Sequence, residues 1–181
     1  MPIDVVPYSP DWPVHFERVA RDLRVALAVV PGARVEHVGS TSVPGLAAKP
    51  ILDIDVIVEA DQVAPAVAAL EAVGYVHRGD LGVAGREAFR APDEDPRRHV
   101  YVCRAETLSV RNHLAVRDVL RVRADLRDAY AEVKVALAAD PSMDMDTYLA
   151  GKSAVLQEVL AAADLTEDER REILRVNDPS A

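Results

Sequence analysis

A single cysteine, Cys103, is the whole thiol content of this chain. An intramolecular disulfide is impossible, and no cysteine-rich metal site can form. Aromatic residues make up only 4% of the 181 residues. The core must therefore be aliphatic, built from Val, Leu, Ala and Ile. Positive charge is also short: 21 Lys and Arg stand against 30 Asp and Glu, a formal net charge of −9. Such a balance argues against a long nucleic acid as partner, because a polyanion needs a basic surface. It leaves room for a small phosphorylated ligand held by a few local cations. No run of about 18 apolar residues occurs, so no membrane span is expected. The opening "MPIDVVPYSPDWP" lacks the basic start and apolar stretch of a secretory signal. These absences predict a soluble cytoplasmic protein with no membrane or nucleic-acid partner. The length suits one structural unit.

Periodicity divides the chain. Ser9 and Pro10 form a helix-start signal, a side-chain cap followed by a residue that needs no backbone donor. Phe16, Val19, Leu23, Leu27 and Val30 then recur at helical spacing up to Pro31-Gly32. Short strands are predicted over 34–38, 51–58, 75–78, 86–90 and 99–103, with an amphipathic helix closed by Gly74 between the second and third. "APDEDPRR" reads as a turn joining an antiparallel pair. From residue 107 only helical patterns remain. One holds Leu114, Val119 and Leu120, a second Tyr130, Val133 and Leu137, and a third Leu149, Leu156 and Leu160. Thr166 and Glu169 have capping-box spacing before a last charged helix. The expected class is α/β, in the α+β sense: a small mixed sheet with helices over residues 1–105, then a helical region over 106–181 packed on it.

The strand "ILDIDVIV" carries Asp53 and Asp55 inside an apolar run. Side chains alternate faces along a strand. Leu52, Ile54, Val56 and Val58 therefore share a core face, and the two carboxylates share the other, roughly 7 Å apart at the backbone. Two like charges on a half-buried surface repel and are poorly solvated. Mg²⁺ is a natural compensating cation, since it prefers carboxylate oxygens and leaves positions open for phosphate. A solvated sheet face would serve the pair equally well, and Asp-x-Asp alone does not decide. Upstream, Gly39-Ser40-Thr41-Ser42 follows a strand, and such a glycine-led turn can cradle phosphate. Lys49 adds a cation just before the carboxylates. Together these elements point to phosphoryl or nucleotidyl transfer. The spacing is not that of a P-loop.

A Gly-Ser pair followed about a dozen residues later by Asp-x-Asp resembles the signature of the polymerase-β-like nucleotidyltransferase superfamily. The segment "EHVGSTSVPGLAAKPILDIDV" resembles, within that superfamily, the GrpB family. "GREAFRAP", "RHVYVC", "RNHLAVRDVLR", "YAEVKVALA" and "YLAGKSAVLQEVL" match as well, so the resemblance spans roughly residues 7–160. It implies that Gly39 and Ser40 hold nucleotide phosphates and that Asp53 and Asp55 bind Mg²⁺. It further implies Mg²⁺-dependent nucleotidyl transfer to a small-molecule acceptor, with ATP the expected donor. The alternative is a non-catalytic module with a degenerate site, binding a nucleotide- or coenzyme A-related ligand. GrpB-like segments are similar to a domain appended to dephospho-coenzyme A kinase in some bacteria. A monomer and a homodimer are both compatible with the sequence.

Many superfamily enzymes carry a third carboxylate on a later strand. Glu87 is the obvious candidate, but parity puts it with Phe89 on the core side. The same parity places Arg86, Arg90, His99 and Tyr101 on the face of the aspartates. His99 is open to three roles: general base, metal ligand or structural strand residue. Arg86, Arg90, Arg117 and Lys152 are candidate anion contacts, although Arg117, whose pairing with Asp118 resembles an Arg-Asp pair of the GrpB family, reads better as a structural salt bridge between helix and sheet. Lys134 and Lys152 follow Tyr130 and Tyr148 by four residues, which puts each pair on one helix face. Packing with a snorkelling lysine accounts for Lys134. His113 reads as a cap or helix-face residue, and His37 as a residue orienting the Gly39 turn.

Overall fold

The computed structural model describes residues 4–177. Among them are seven α-helices and five strands. Helix α1 (Asp11–Ala26) leads into β1 (Arg34–Val38), and the Gly39 turn connects β1 to β2 (Leu52–Val58). Helix α2 (Val63–Ala72), β3 (Val76–His77), β4 (Arg86–Arg90) and β5 (Arg98–Arg104) follow. The rest is helical: α3 (Leu108–Val122), α4 (Ala124–Ala138), α5 (Met145–Gly151), α6 (Ser153–Ala161) and α7 (Glu167–Asn177). Ser9 Oγ accepts the Asp11 amide at the start of α1, one position from the expected cap, because Pro10 precedes the first helical residue. Thr166 and Glu169 form the predicted capping box. The third C-terminal helix is two, not one. Leu149 lies on α5 while Leu156 and Leu160 lie on α6, with Lys152 between them at ψ −2°. Gly151 is fixed there by packing, since a Cβ would come within 2.7 Å of Leu137.

The sheet runs β1-β2-β5-β4-β3, with β2 and β5 parallel and all other pairs antiparallel. On one face, Leu52, Ile54, Val56 and Val58 of β2 join Val100 and Val102 of β5 and Phe89 of β4. Trp12, Phe16, Ala20 and Leu23 of α1 and Ala66 and Leu70 of α2 close over them. This is the face that the β2 alternation marks as core. The opposite face is only part covered. Ile57 and Cys103 pack beneath Val110 of α3. The Gly39 turn is anchored by Val43 and Leu46, which are fully buried against Val119 and Leu120 of α3, Tyr130 of α4 and Val159 of α6. The helical region thereby forms a wall beside the open half of the carboxylate face.

Candidate nucleotide-binding site

Strand register decides which side chains meet. Asp53 lies opposite His99 and Asp55 opposite Tyr101 across the parallel β2–β5 pair. Tyr101 in turn faces Ala88, and Cys103 faces Arg86. Directly paired residues share a face, so the aspartates, His99, Tyr101 and Arg86 stand together as parity predicts. Glu87 faces Val102 on the other side and bonds His77 at 2.6 Å, so it supplies no third acid here. On β5, the positions beside the aspartates are held by His99 and Tyr101 instead.

The carboxylate face has a gradient of solvent access. Ile57 is sealed under α3, Asp55 is fully buried, and the Asp53 side chain is 35% exposed. Asp53 Oδ1 lies 3.0 Å from His99 Nδ1. Asp55 Oδ2 lies 2.7 Å from Nδ1 of His113. Burial alone would lower the His113 pKa, but the hydrogen bond and charge of Asp55 outweigh it, and the net shift is upward. His113 is thus neither a cap nor a helix-surface residue, since α3 begins at Leu108 and turns it inward. Its position three residues after buried Val110 was the available signal. The hydrogen bond from His113 also meets part of the compensation that the paired acids demand. Asp55 Oδ1 remains buried without a partner. A buried carboxylate oxygen left unpaired, beside a half-open second carboxylate, is a donor set that fits a hard divalent cation. Among the described residues no group of three His, Cys, Asp or Glu side chains is placed to hold a metal.

Gly39 sits against Asp53. Its φ is +68°, and a Cβ there would come within 2.9 Å of Asp53 Cβ and Cγ. Only glycine adopts this conformation and permits this approach. The turn that follows is a single 3-10 segment over Ser40–Ser42. Ser42 Oγ donates to Gly39 O at 2.6 Å, and the residue is buried, so its hydroxyl ties the turn together and does not open outward. Thr41 is buried too, held 3.0 Å from His37 Nε2. His37 stacks on Phe16, with ring centroids 4.6 Å apart, and burial lowers its pKa to about 4. It therefore orients the turn as a neutral ring. Ser40 is the least buried hydroxyl of the turn, and with Thr41 it lines the adjoining hollow.

That hollow, about 240 Å³, is lined by Gly39, Ser40, Asp53 and His99 on the sheet side. Lys49, Lys134, Lys152, Tyr130 and Tyr148 line the rest. Lys134 corrects the expectation of a snorkelling side chain. It is 2% exposed, and its Nζ donates to Ser40 Oγ at 2.9 Å and to Ala47 O at 2.5 Å. The long stem that allows snorkelling points inward because Tyr130 and Val133 carry that face of α4 into the core. Burial, with the charge of Lys152 behind it, lowers the Lys134 pKa to about 7. Lys152 lies over the Tyr148 ring at 5.3 Å, and burial and Lys49 lower its pKa to about 8. Lys49 lies over the same ring at 5.8 Å. Three lysines thus meet in one small hollow of a chain with net charge −9, and none has a carboxylate within 4.0 Å among the described residues.

The remaining candidates stand further off. Arg86 packs its guanidinium over Tyr101 at 4.6 Å, with Nε buried and unpartnered. Burial and the Asp53 charge push the Tyr101 pKa up to about 12. Arg90 is exposed on the same face. Arg117 bonds Glu36, Asp118 and His37 O at 2.8, 2.7 and 3.2 Å, the structural role expected of it.

Comparisons with known proteins bear on the family and the fold. The family model described as GrpB protein matches residues 2–162. A UPF0157 protein of Halalkalibacterium halodurans is 39% identical over 167 residues, covering 91% of this chain and 84% of the relative. The crystal structure of conserved protein GrpB from Enterococcus faecalis superposes with a TM-score of 0.74 at 34% identity, over 88% of this chain and 98% of that one. The Cid1 poly(U) polymerase with Mg 3'-dATP bound superposes at 0.53 and 18% identity, over 71% of this chain and 42% of that one. At that identity the likeness is one of fold. The chain belongs to the GrpB family and has a nucleotidyltransferase-like fold.

Proposed function

We propose that this protein transfers a nucleotidyl group from a nucleoside triphosphate, ATP in the first instance, to a small-molecule acceptor. The observation that carries the reading is one hollow holding Gly39, Ser40, three lysines and the edge of the Asp53–Asp55 pair. Phosphates would lie on the Ser40 turn, with Lys134 and Lys152 as counter-charges. Asp53 and Asp55 would hold Mg²⁺, which when bound would neutralise phosphate charge. The acceptor oxygen forms a bond to the α-phosphorus, the bond to the α–β bridging oxygen breaks, and pyrophosphate leaves with the electron pair. His99 donates Nδ1–H to Asp53, which leaves Nε2 as the lone pair that takes the acceptor proton. Tyr101 and Arg86 close the site beside it.

One observation favours a second reading, a binding module without turnover: His99 and Tyr101 stand where a third carboxylate would be expected. Calorimetry with Mg²⁺ and α,β-methylene-ATP, then turnover of α-labelled ATP over a panel of acceptors, separates the two. The proposal expects nucleotide binding that Asp53→Asn and Asp55→Asn weaken at least tenfold, with pyrophosphate release from ATP. Binding without release across the panel selects the module. Failure of the wild-type protein to bind any nucleotide refutes the transfer reading and a nucleotide-binding module alike.

A further inference from the structure

A second hollow, about 400 Å³, opens on the far side of His99 from the lysine pocket. The two share Ile51 and His99 as a common wall. Its floor is the same sheet face, continued outward onto β4, with Arg78 just after β3 at its edge. Along the β4–β5 ladder Phe89 lies opposite Val100, so the next step places Arg90 opposite His99. Asp53, His99 and Arg90 therefore form one row across the sheet, at the spacing of about 4.8 Å between strands. Arg78, whose amide donates to Ala88 O at 2.8 Å, extends the same face by one more strand.

The charges of this hollow are unequal. Four arginines (Arg78, Arg90, Arg97, Arg98) face two acids, Asp93 and Glu94. Both acids are engaged: Asp93 binds Arg98 through both oxygens at 2.8 and 2.9 Å, and Glu94 meets Arg97 at 3.6 Å. The Arg98 bond holds the Asp93 pKa down at about 2, so that pair is fully ionised and satisfied. Arg78 and Arg90 have no carboxylate within 4.0 Å among the described residues. On a chain of net charge −9, two uncompensated guanidiniums converging on one concavity mark a place for an anion.

We infer that this second hollow is the acceptor site and that it takes a small hydroxyl compound carrying a phosphate or a carboxylate. Arg78 and Arg90 would hold the anionic group, and the acceptor hydroxyl would lie beside His99, where the two hollows meet. The guanidinium fork suits either anion. The inference rests on the nucleotidyl-transfer reading of the lysine pocket for the word acceptor, and on the arginines alone for the anion.

The test is calorimetric titration of glycerol 3-phosphate, glycerate and glycerol, each into the free protein and into protein saturated with Mg²⁺ and α,β-methylene-ATP. Glycerol 3-phosphate or glycerate is expected to bind and glycerol not to bind. The double substitution Arg78→Gln/Arg90→Gln is expected to weaken the anion at least tenfold and to leave the nucleotide analogue within twofold, which also reports that the variant folds. Which anion binds more tightly identifies the group. Anion binding that is absent, or unaltered by the double substitution, or lost instead in Lys134→Met, overturns the inference. If the analogue fails to bind while arginine-dependent anion binding persists, the transfer reading falls and the anion site stands.

Discussion

Lys134→Met separates stability from binding at this site. Lys134 is 2% exposed, and its pKa falls from 10.5 to about 7. That difference corresponds to about 5 kcal/mol of unfavourable free energy for keeping the ammonium charged in the folded chain. Methionine fills nearly the same volume without charge. It strands Ser40 Oγ and Ala47 O, which costs about 1–3 kcal/mol. The variant should therefore be more stable by about 2–4 kcal/mol at pH 6, a rise in Tm of roughly 4–16 °C for a chain of this size. The pH dependence has a definite sign. Below pH 7 both folded and unfolded chains carry the proton, and the penalty is present in full. Between about 7 and 10.5 only the unfolded chain keeps it, so wild-type stability rises with pH through this window. The gap between variant and wild type should be widest at pH 6, close between about pH 8.5 and 10 and reverse above that, where only the stranded acceptors count, as read by urea unfolding. Affinity for α,β-methylene-ATP should fall, since a charge-assisted hydrogen bond contributes about 1.5–3 kcal/mol, roughly 10–150-fold. A variant less stable than wild type at pH 6, or a gap that ignores pH, would refute the reasoning. So would unchanged nucleotide affinity.

Other substitutions probe the frame around the pocket. Gly39→Ala should cost at least about 1–2 kcal/mol in urea unfolding and abolish measurable nucleotide binding, because the left-handed φ and the Asp53 contact both exclude a Cβ. His37 should remain neutral at pH 5 in an NMR titration. Its folded pKa of about 4 lies below the unfolded 6.5, so stability should fall by up to about 3 kcal/mol as pH drops through that window. A His37 that titrates near 6.5 contradicts the buried, Phe16-stacked ring. Arg117→Ala should lower stability by about 1–3 kcal/mol through the half-buried Glu36 it leaves unpaired, with nucleotide affinity within twofold of wild type. A large loss of affinity would move Arg117 into the ligand site.

Much of this was written into the chain locally. Alternation in "LDIDVIV" assigns Leu52, Ile54, Val56 and Val58 to the core and both aspartates to the other face, because side chains in a strand have a period of two. The same rule keeps Glu87 away from the aspartates and puts His99 and Tyr101 near them. Gly39 announces a close backbone approach, and the structure identifies its partner as Asp53. What period and spacing could not reach were contacts between elements far apart in sequence. Lys134 is 94 residues from the Ser40 hydroxyl it binds, and His113 is 58 from Asp55. Both lysine and histidine are ordinary surface residues on helical grounds. Only the docking of α3 and α4 on the Val43–Leu46 anchor turns them inward. The two hollows share this origin, since concavity belongs to the packing of helices against a sheet and not to any one segment. The sequence by itself determined the secondary elements, the faces of the strands and the chemistry on offer. The tertiary structure decided which cations stand at the carboxylates and which guanidiniums are left uncompensated, because burial and charge depend on neighbours that the chain brings from afar.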